Sequence, residues 1–310
     1  MPHVIAKSTG PRRKVVVVGA GPAGLEAARV ARERGHDVVL FEKNTLVGGQ
    51  VNLAAKPPKR EQMAGIIRWF DMETVRLGVD RRLGVAATAE MIQAEHPDIV
   101  VLATGGTPHI GQTPAWGASE GLCVSGWDIL SGAVQPAENV LVYDSISTHA
   151  GTGVADFMAA RGKQVEIVTP DVKVADDTGG TTFPIFYRQL YANGVIQTPN
   201  HWLEKVYREG DKLIAVLKNE YTEALEERAV DQVVIENGIL PNDGLYWQLK
   251  PLSLNKGQTD LDALFDALPQ PALSQPTGNG QFLLYRVGDC ISMHNIHAAI
   301  YDALRLSKDF

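Results

Sequence analysis

A short apolar segment followed at once by a glycine-rich turn constrains this chain more than any other feature. Lys14–Val18 is β-branched after its first residue, which is typical of a strand buried on both faces of a parallel sheet. Gly19, Gly21 and Gly24 follow in the pattern G-x-G-x-x-G. The first glycine permits a tight turn, the second lets a phosphate group approach the backbone, and the third lets a helix pack close to the strand. The segment therefore predicts a phosphate-binding turn.

The residues after this turn complete a strand–helix–strand unit. Ala23–Arg34 has apolar residues at helical spacing, and Asp37–Phe41 is a second run typical of a buried strand. Glu42 stands at the end of that strand, where a carboxylate accepts hydrogen bonds from a ribose diol and disfavours a 2′-phosphate. This is the order of a Rossmann unit, which predicts a site for a dinucleotide or for ADP.

Three later segments extend the pattern. Gly48–Gln50 follows the second strand, Ala103–Gly106 ends a third apolar run, and Val287–Cys290 precedes the last predicted helix. Each is uninformative alone. In this order they match a flavoprotein with two dinucleotide-binding domains, in which the end of the chain completes the FAD domain. The residues expected to contact the cofactor are Gly19, Gly21, Pro22, Ala23, Gly24, Glu42, Lys43, Gly49, Gln50, Thr104, Gly105, Gly288, Asp289, His294 and Asn295.

A second strand–helix–strand pattern lies in the middle of the chain. Val140–Tyr143 and Gln164–Val168 have strand composition, and Gly153–Arg161 between them is typical of a helix. The predicted fold class is therefore α/β, with two Rossmann-like domains of the glutathione-reductase type. The predicted FAD- or ADP-binding domain is residues 1–120 plus 276–310, and the predicted NAD(P)-binding-like insert is residues 121–275.

The second unit departs from a working dinucleotide turn. The loop Asp144–Gly153 is longer than usual, and the third glycine position is assigned to Asp156, whose negative charge would repel a phosphate. Thr169 ends the following strand in place of an acid for NAD or an arginine for a 2′-phosphate. We therefore expect a degenerate insert that does not bind NAD(P)H.

Composition excludes several other classes of function. The net charge of −7 gives a nucleic-acid partner no electrostatic support. Cys123 and Cys290 are the only cysteines, so neither a C-x-x-C redox centre nor the four thiolates of an iron–sulfur cluster are present. No metal site and no catalytic acid–base set stand out. The start of the chain has no leader pattern and no run approaches the ~20 apolar residues of a membrane span, so a cytoplasmic protein is expected.

Longer runs carry a resemblance to a known family. The segments VVVVGAGPAGLEAARVARERGHDVVLFEK, VGGQVNLAAKPPKRE and RVGDC, with the final AAIYDALRLSKDF, resemble the C-terminal half of the trimethylamine dehydrogenase and 2,4-dienoyl-CoA reductase family. In that family an N-terminal (β/α)8 barrel carries FMN and one 4Fe–4S cluster, and the C-terminal half binds FAD or only ADP. The resemblance is nearest to the N-demethylating branch, which acts on N-methylated amino acids or betaines, and it includes no barrel.

The resemblance implies an oxidoreductase component. We expect an FAD-binding electron-transfer subunit of a multi-subunit amine or N-methyl dehydrogenase, a demethylase, that is inactive on substrate alone. The implied partner is a barrel subunit with FMN and a 4Fe–4S cluster, and an electron-transfer flavoprotein is a second candidate. The chain would be a natural separate subunit or an excised fragment.

Two other functions remain open at this stage. One is a stand-alone NAD(P)H-dependent flavin oxidoreductase, which an intact second glycine motif would favour. The other is a non-catalytic ADP-binding structural subunit, for which the first glycine motif and Glu42 suffice. Contacts to the flavin half of FAD from Gly48–Gln50 and Asp289–Asn295 would distinguish FAD from ADP.

Overall fold

The computed structural model describes residues 5–110, 114–117, 120–277 and 281–310. The chain divides into two compact units, and each is formed by segments that are distant in sequence. Unit 1 contains Met1–Asn52, Met63–Thr107 and Leu240–Phe310, and unit 2 contains Leu53–Gln62 and Pro108–Ile239.

The strands of the described residues are short, as is usual for α/β proteins. They are β1 Lys14–Val18, β2 Asp37–Glu42, β3 Asp80–Leu83, β4 Ile99–Leu102, β5 Gly106–Pro108, β6 Cys123–Ser125, β7 Asn139–Asp144, β8 Gln164–Val168, β9 Ile196–Thr198, β10 His201–Glu209, β11 Lys212–Asn219, β12 Leu225–Val230, β13 Gln232–Glu236, β14 Ile239–Pro241 and β15 Leu283–Arg286.

The helices alternate with the strands over much of the chain. They are α1 Pro22–Glu33, α2 Val51–Ala54, α3 Ala64–Arg76, α4 Ala89–Ala94, α5 Gly126–Ser131, α6 His149–Ala159, α7 Phe183–Ala192, α8 Gly244–Leu249, α9 Leu261–Phe265 and α10 Ile296–Ser307. None of the helices in the described residues combines the length and the apolar composition that crossing a membrane requires.

Unit 1 is built on a parallel sheet with the strand order β15-β4-β1-β2-β3. Val15 and Val17 of the central strand pack on one face with residues of α1, α3 and α10. Val16 and Val18 pack on the other face with residues of α4 and α8. Both faces are covered, which explains why the run after Lys14 is wholly apolar.

Unit 2 combines two sheets. A parallel sheet has the order β6-β13-β7-β8-β9, and an antiparallel sheet has the order β10-β11-β12. Apolar residues of β11 pack against Leu141 and Tyr143 of the parallel sheet. Strands β10 and β12 carry many exposed charged side chains, so no local apolar pattern in the sequence marks them.

The two units differ in their limits from the domains predicted from sequence. Residues 240–275 belong to unit 1 and not to the predicted insert, because Tyr246 and Leu249 pack against its sheet. Leu254 also donates its N–H to the carbonyl of Phe282 at 2.9 Å. Phe282 directly precedes β15, which is an edge strand of this sheet. Residues 53–62, 108–110 and 114–117 belong to unit 2 instead of the predicted FAD domain.

Candidate functional site

The predicted glycine turn lies directly after β1, at the C-terminal edge of the sheet of unit 1. Gly19 has φ +100°, and a Cβ built on it would lie 2.3 Å from the carbonyl oxygen of Ala103. A Cβ on Gly24 would lie 1.9 Å from the carbonyl oxygen of Gly19. Both glycines are therefore required for α1 to start this close to the strands.

Gly21 differs from the other two glycines because it borders open space. A Cβ built on Gly21 would meet no heavy atom within 4 Å. Gly21 is also the N-cap of α1, no side chain caps the helix there, and Pro22 occupies the first turn. The remaining N–H groups of the first turn are thus available to an anion. The helix dipole places positive partial charge at the same end of α1, which also favours an anion there.

The second glycine pair lies against the first turn. Gly48 donates its N–H to the carbonyl of Ala20 at 2.7 Å. Gly49 has φ +53°, and a Cβ built on it would lie 3.2 Å from the Cα of Gly21. Glycine at position 49 therefore keeps the two turns close and leaves backbone exposed to a bound phosphate.

Glu42 is held at the same turn. Its Oε2 accepts the N–H of Ala20 at 2.7 Å, and its Oε1 accepts the N–H and the side-chain amide of Asn44, both at 2.9 Å. A carboxylate oxygen has two acceptor positions, so Oε2 retains capacity for a ribose hydroxyl. Glu42 is buried in the structure, whereas the neighbouring Lys43 is exposed.

Gln50 and Asp289 meet at this edge although 239 residues separate them. The Gln50 amide donates to Oδ2 of Asp289 at 2.9 Å, and the backbone N–H of His294 donates to Oδ1 at 2.8 Å. Burial raises the pKa of Asp289 above its usual range. Gly288, with φ +63°, lets this turn approach α1, because a Cβ there would lie 2.9 Å from the Cβ of Ala23.

His294 and Asn295 have contacts of their own within unit 1. Nδ1 of His294 lies 2.5 Å from the carbonyl oxygen of Ser292, and its Nε2 lies 3.4 Å from a carboxylate oxygen of Asp302. Asn295 caps α10 by accepting the N–H of Ala298 at 2.8 Å. These contacts position the start of α10 beside Asp289. Direct binding of the cofactor by His294 and Asn295 stays a prediction.

Thr104 and Gly105 are fixed by a residue that sequence reasoning missed. The Thr104 hydroxyl donates to the carbonyl of Asn242 at 2.5 Å, and the Asn242 N–H donates to the carbonyl of Gly105 at 2.9 Å. Asn242 lies in a segment without regular patterning, so no sequence motif marks it. The hydroxyl of Thr104 also lies 3.1 Å from Sγ of Cys290.

The corresponding turn of unit 2 corrects one sequence prediction. Helix α6 begins at His149 with Thr148 as its N-cap, four residues before the predicted start. The position three residues after the cap, which Gly24 occupies in α1, is therefore held by Gly151. Asp156 lies inside α6 instead, and it accepts hydrogen bonds from side-chain amides of Gln189 at 3.0 Å and Asn193 at 2.6 Å. The predicted repulsion of a phosphate by Asp156 is wrong.

Two buried acids stand at the C-terminal edge of the unit 2 sheet. Asp144 ends β7, Glu236 ends β13, and the two residues are direct neighbours in the register of these strands. Burial raises the pKa of Asp144 to about 7 and, with the charge of Asp144 as a second cause, that of Glu236 to about 8. Sequence reasoning overlooked the pair, although an acid at the end of an apolar strand was the feature that identified Glu42.

The basic segment Lys56–Arg60, which is part of unit 2, makes hydrogen bonds to other residues of that unit. Lys56 donates to the carbonyl of Leu130 at 2.6 Å, and Arg60 donates to the carbonyl of His149 at 3.0 Å. Desolvation lowers the pKa of Arg60. No group of three or more metal-binding side chains occurs within residues 5–110, 114–117, 120–277 and 281–310.

The model of one family matches residues 13–303, and its description is pyridine nucleotide-disulphide oxidoreductase. The chain belongs to this family. It is therefore an oxidoreductase-family flavoprotein, as its sequence predicted, and the predicted α/β fold with two dinucleotide-binding units is confirmed. Because the family binds FAD and NAD(P)H, the match does not support our expectation that NAD(P)H is not bound.

Curated relatives agree with the family resemblance at a coarser level. The chain is 57% identical over its full length to an N,N-dimethylglycine/sarcosine dehydrogenase of Chromohalobacter salexigens, of which it covers 46%. It is 45% identical over its full length to a probable N-methylproline demethylase of Rhizobium meliloti, of which it covers 45%. The chain thus spans about half the length of these relatives.

Solved structures show the same fold. A 2-naphthoyl-CoA reductase complex has a TM-score of 0.81 at 25% identity, over 99% of this chain and 41% of that one. A thioredoxin reductase of T. acidophilum has a TM-score of 0.65 at 18% identity, over 96% of this chain and 97% of that one. The second likeness extends over both chains, which supports the fold class.

Proposed function

We propose that this chain is the FAD-binding electron-transfer component of an amine or N-methyl dehydrogenase, a demethylase. The observation that carries the proposal is the contact between Gln50 and Asp289. An ADP site needs only the first glycine turn and Glu42. The Gln50–Asp289 pair extends the polar surface of unit 1 beyond these residues, which supports a ligand with a flavin half.

The residues of unit 1 fit FAD in chemical type. The open backbone at Gly21 and the uncapped start of α1 would bind the diphosphate, and Glu42 would accept hydrogen bonds from the ribose. Asp289 would accept hydrogen bonds from ribityl hydroxyls. FAD itself supplies the redox chemistry when bound, and the chain supplies binding, orientation and electrostatics.

The oxidation of substrate is proposed to take place outside these residues. The relatives named above act on N-methylated amino acids, by their names, and are about twice as long as this chain. We propose a barrel with FMN and a 4Fe–4S cluster as the partner that oxidises the substrate, in a longer polypeptide or as a separate subunit. An electron-transfer flavoprotein would be the next acceptor.

The first test is the absorption spectrum of the purified chain, followed by chromatography of the nucleotide released on denaturation. Flavin absorption bands at about 450 nm together with released FAD are expected if the chain holds FAD as a redox cofactor. A colourless chain that releases only ADP would reject the redox role and favour an ADP-binding structural component.

Glu42→Ala is expected to weaken nucleotide binding by about 10- to 100-fold, because a charge-assisted hydrogen bond to the ribose contributes on the order of 2 kcal/mol. Calorimetric titration of the apoprotein with FAD, and with ADP, measures the effect. Glu33→Ala is the control, since Glu33 pairs with Arg29 on the outer part of α1. Equal affinities for Glu42→Ala and the unaltered chain would reject the assignment of Glu42.

A stand-alone NAD(P)H-dependent flavin oxidoreductase is the second candidate. The specific observation in its favour is Gly151 at the third position of the unit 2 turn, where sequence reasoning had assigned an acid. Bleaching of the flavin by NADH, without any added protein, would favour this candidate over the electron-transfer component.

A further inference from the structure

Helices α1 and α6 differ in whether a side chain caps the N–H groups of their first turn. The N-cap of α1 is Gly21, and no side chain caps that helix. The N-cap of α6 is Thr148, whose hydroxyl oxygen accepts the N–H of Ala150 at 3.3 Å. In unit 2 a side chain of the protein therefore accepts a hydrogen bond from a first-turn N–H group. In unit 1 no side chain caps the helix, so the N–H groups of its first turn can bind an anion.

Asp144 occupies the unit 2 turn in the same way. Its Oδ1 accepts the N–H groups of Ile146 at 3.2 Å and Ser147 at 2.9 Å. Successive backbone N–H groups of a turn are the donors that a Rossmann turn offers to a phosphate. The carboxyl group of Asp144 thus stands where this turn would otherwise bind an external anion.

The second oxygen of Asp144 points into the start of α6. A Cβ built on Gly151 would lie 2.3 Å from Oδ2. Asp144 has no exposed surface, and Oδ2 has no hydrogen-bond partner among the described residues. An ionised oxygen that is buried without a partner is costly, and a neutral carboxyl group removes most of that cost.

The charged neighbours of Asp144 increase this preference for the neutral form. Glu236 is adjacent on β13, beneath the first turn of α5, where a Cβ on Gly126 would lie 1.8 Å from its Oε1. Asp171 is a third acid that acts on Asp144. The other titratable groups near the turn are Tyr143, which precedes Asp144 on β7, and His149, which in turn lies near Arg60 and Asp177.

We propose that Asp144 is an internal occupant of the anion position in unit 2, so that a pyridine nucleotide binds there only with uptake of a proton by the Asp144–Glu236 pair. The proton comes from solvent and neutralises one of the two carboxylates before the diphosphate approaches. An ionised Asp144 repels the diphosphate and competes with it for the turn N–H groups. The inference concerns unit 2 alone and does not rest on the proposed function.

The experiment is calorimetric titration with NAD⁺ from pH 6.5 to pH 9, because its diphosphate does not titrate in this range and NAD⁺ does not reduce a bound flavin. Unit 1 is first saturated with the nucleotide that the purified chain retains, FAD or ADP, so that only unit 2 is available. One proton taken up predicts an affinity that falls about tenfold per pH unit once the pair is ionised.

Asp144→Asn keeps the acceptor for the turn N–H groups and removes the charge. It is expected to bind NAD⁺ more tightly than the unaltered chain at pH 8.5, by about tenfold or more, with little dependence on pH. Glu236→Gln is the second variant, and it is expected to reduce the dependence on pH. Asp211→Asn, which removes an exposed acid in the turn between β10 and β11, is the matched control and is expected to keep the slope. Circular dichroism and thermal unfolding verify that each variant folds.

Each outcome decides the proposal. Binding that weakens with pH in the unaltered chain and not in Asp144→Asn supports it, as does binding by Asp144→Asn when the unaltered chain binds nothing. An affinity of the unaltered chain that is constant from pH 6.5 to pH 9 overturns it. Failure of both the unaltered chain and Asp144→Asn to bind also overturns it, because Asp144 would then not be what decides binding.

Discussion

Gly24→Ala is expected to lower the free energy of unfolding by about 3 kcal/mol or more, because overpacking at a site that cannot relax costs this much. The added methyl group would lie 1.9 Å from the carbonyl oxygen of Gly19, which is backbone and cannot rotate away. Relief of the clash would require α1 to move away from β1. Loss of nucleotide binding would follow from this movement.

Gly21→Ala separates binding from stability at the same turn. No heavy atom lies within 4 Å of a Cβ there, so the free energy of unfolding should change by only about 1 kcal/mol, the effect of an altered N-cap. The methyl group would instead occupy the space that a diphosphate needs. Binding of FAD or ADP should therefore become undetectable in a folded protein.

Chemical denaturation and nucleotide titration of both variants measure these effects. Gly65→Ala in α3 is the control, because its nearest neighbour is the end of the Arg68 side chain at 3.6 Å. Alanine there should stabilise the helix by up to about 1 kcal/mol. If Gly24→Ala were as stable as Gly65→Ala, or if Gly21→Ala bound nucleotide normally, the assigned roles of these glycines would be wrong.

Glu236→Gln is expected to stabilise the chain at alkaline pH and to change little at acidic pH. The pKa of Glu236 rises from 4.5 in its ordinary state to about 8 in the fold. Between these values the folded chain retains a proton that the unfolded chain has lost, so the free energy of unfolding falls as pH rises. Below 4.5 both states are protonated and the penalty is absent.

The expected size of this effect is on the order of 2–4 kcal/mol near pH 8.5, since each unit of pKa shift corresponds to about 1.4 kcal/mol. Denaturant unfolding at several pH values from 5 to 9 measures it. Glu204→Gln, which removes an exposed acid of β10, is the control. A stability difference between Glu236→Gln and the unaltered chain that does not vary with pH would show that Glu236 does not titrate in this window.

The amino-acid sequence by itself determined the dinucleotide turn of unit 1. The spacing of Gly19, Gly21 and Gly24, and the acid at the end of β2, follow from local requirements of a strand, a tight turn and a helix start. Such requirements are satisfied by residues close together in the chain. The positions of the paired strands β1 and β2 could be predicted for the same reason.

Only the tertiary structure decided which distant residues join this turn. Asn242 reaches Thr104 because residues 240–275 pack on unit 1, and that choice depends on burial of Tyr246 and Leu249 and not on any local pattern. The antiparallel strands on either side of β11 were likewise chosen by long-range pairing, which overrides weak local propensity.

The start of α6 is the clearest example of a feature that depends on tertiary structure and not on local sequence. Sequence spacing assigned the third glycine position to Asp156, but the cap at Thr148 places Gly151 there. Several residues around this turn are able to cap a helix, and only packing against the sheet selects one of them. The neighbouring positions of Asp144 and Glu236 depend on the pairing of β7 with β13, which is a long-range contact that no local pattern specifies.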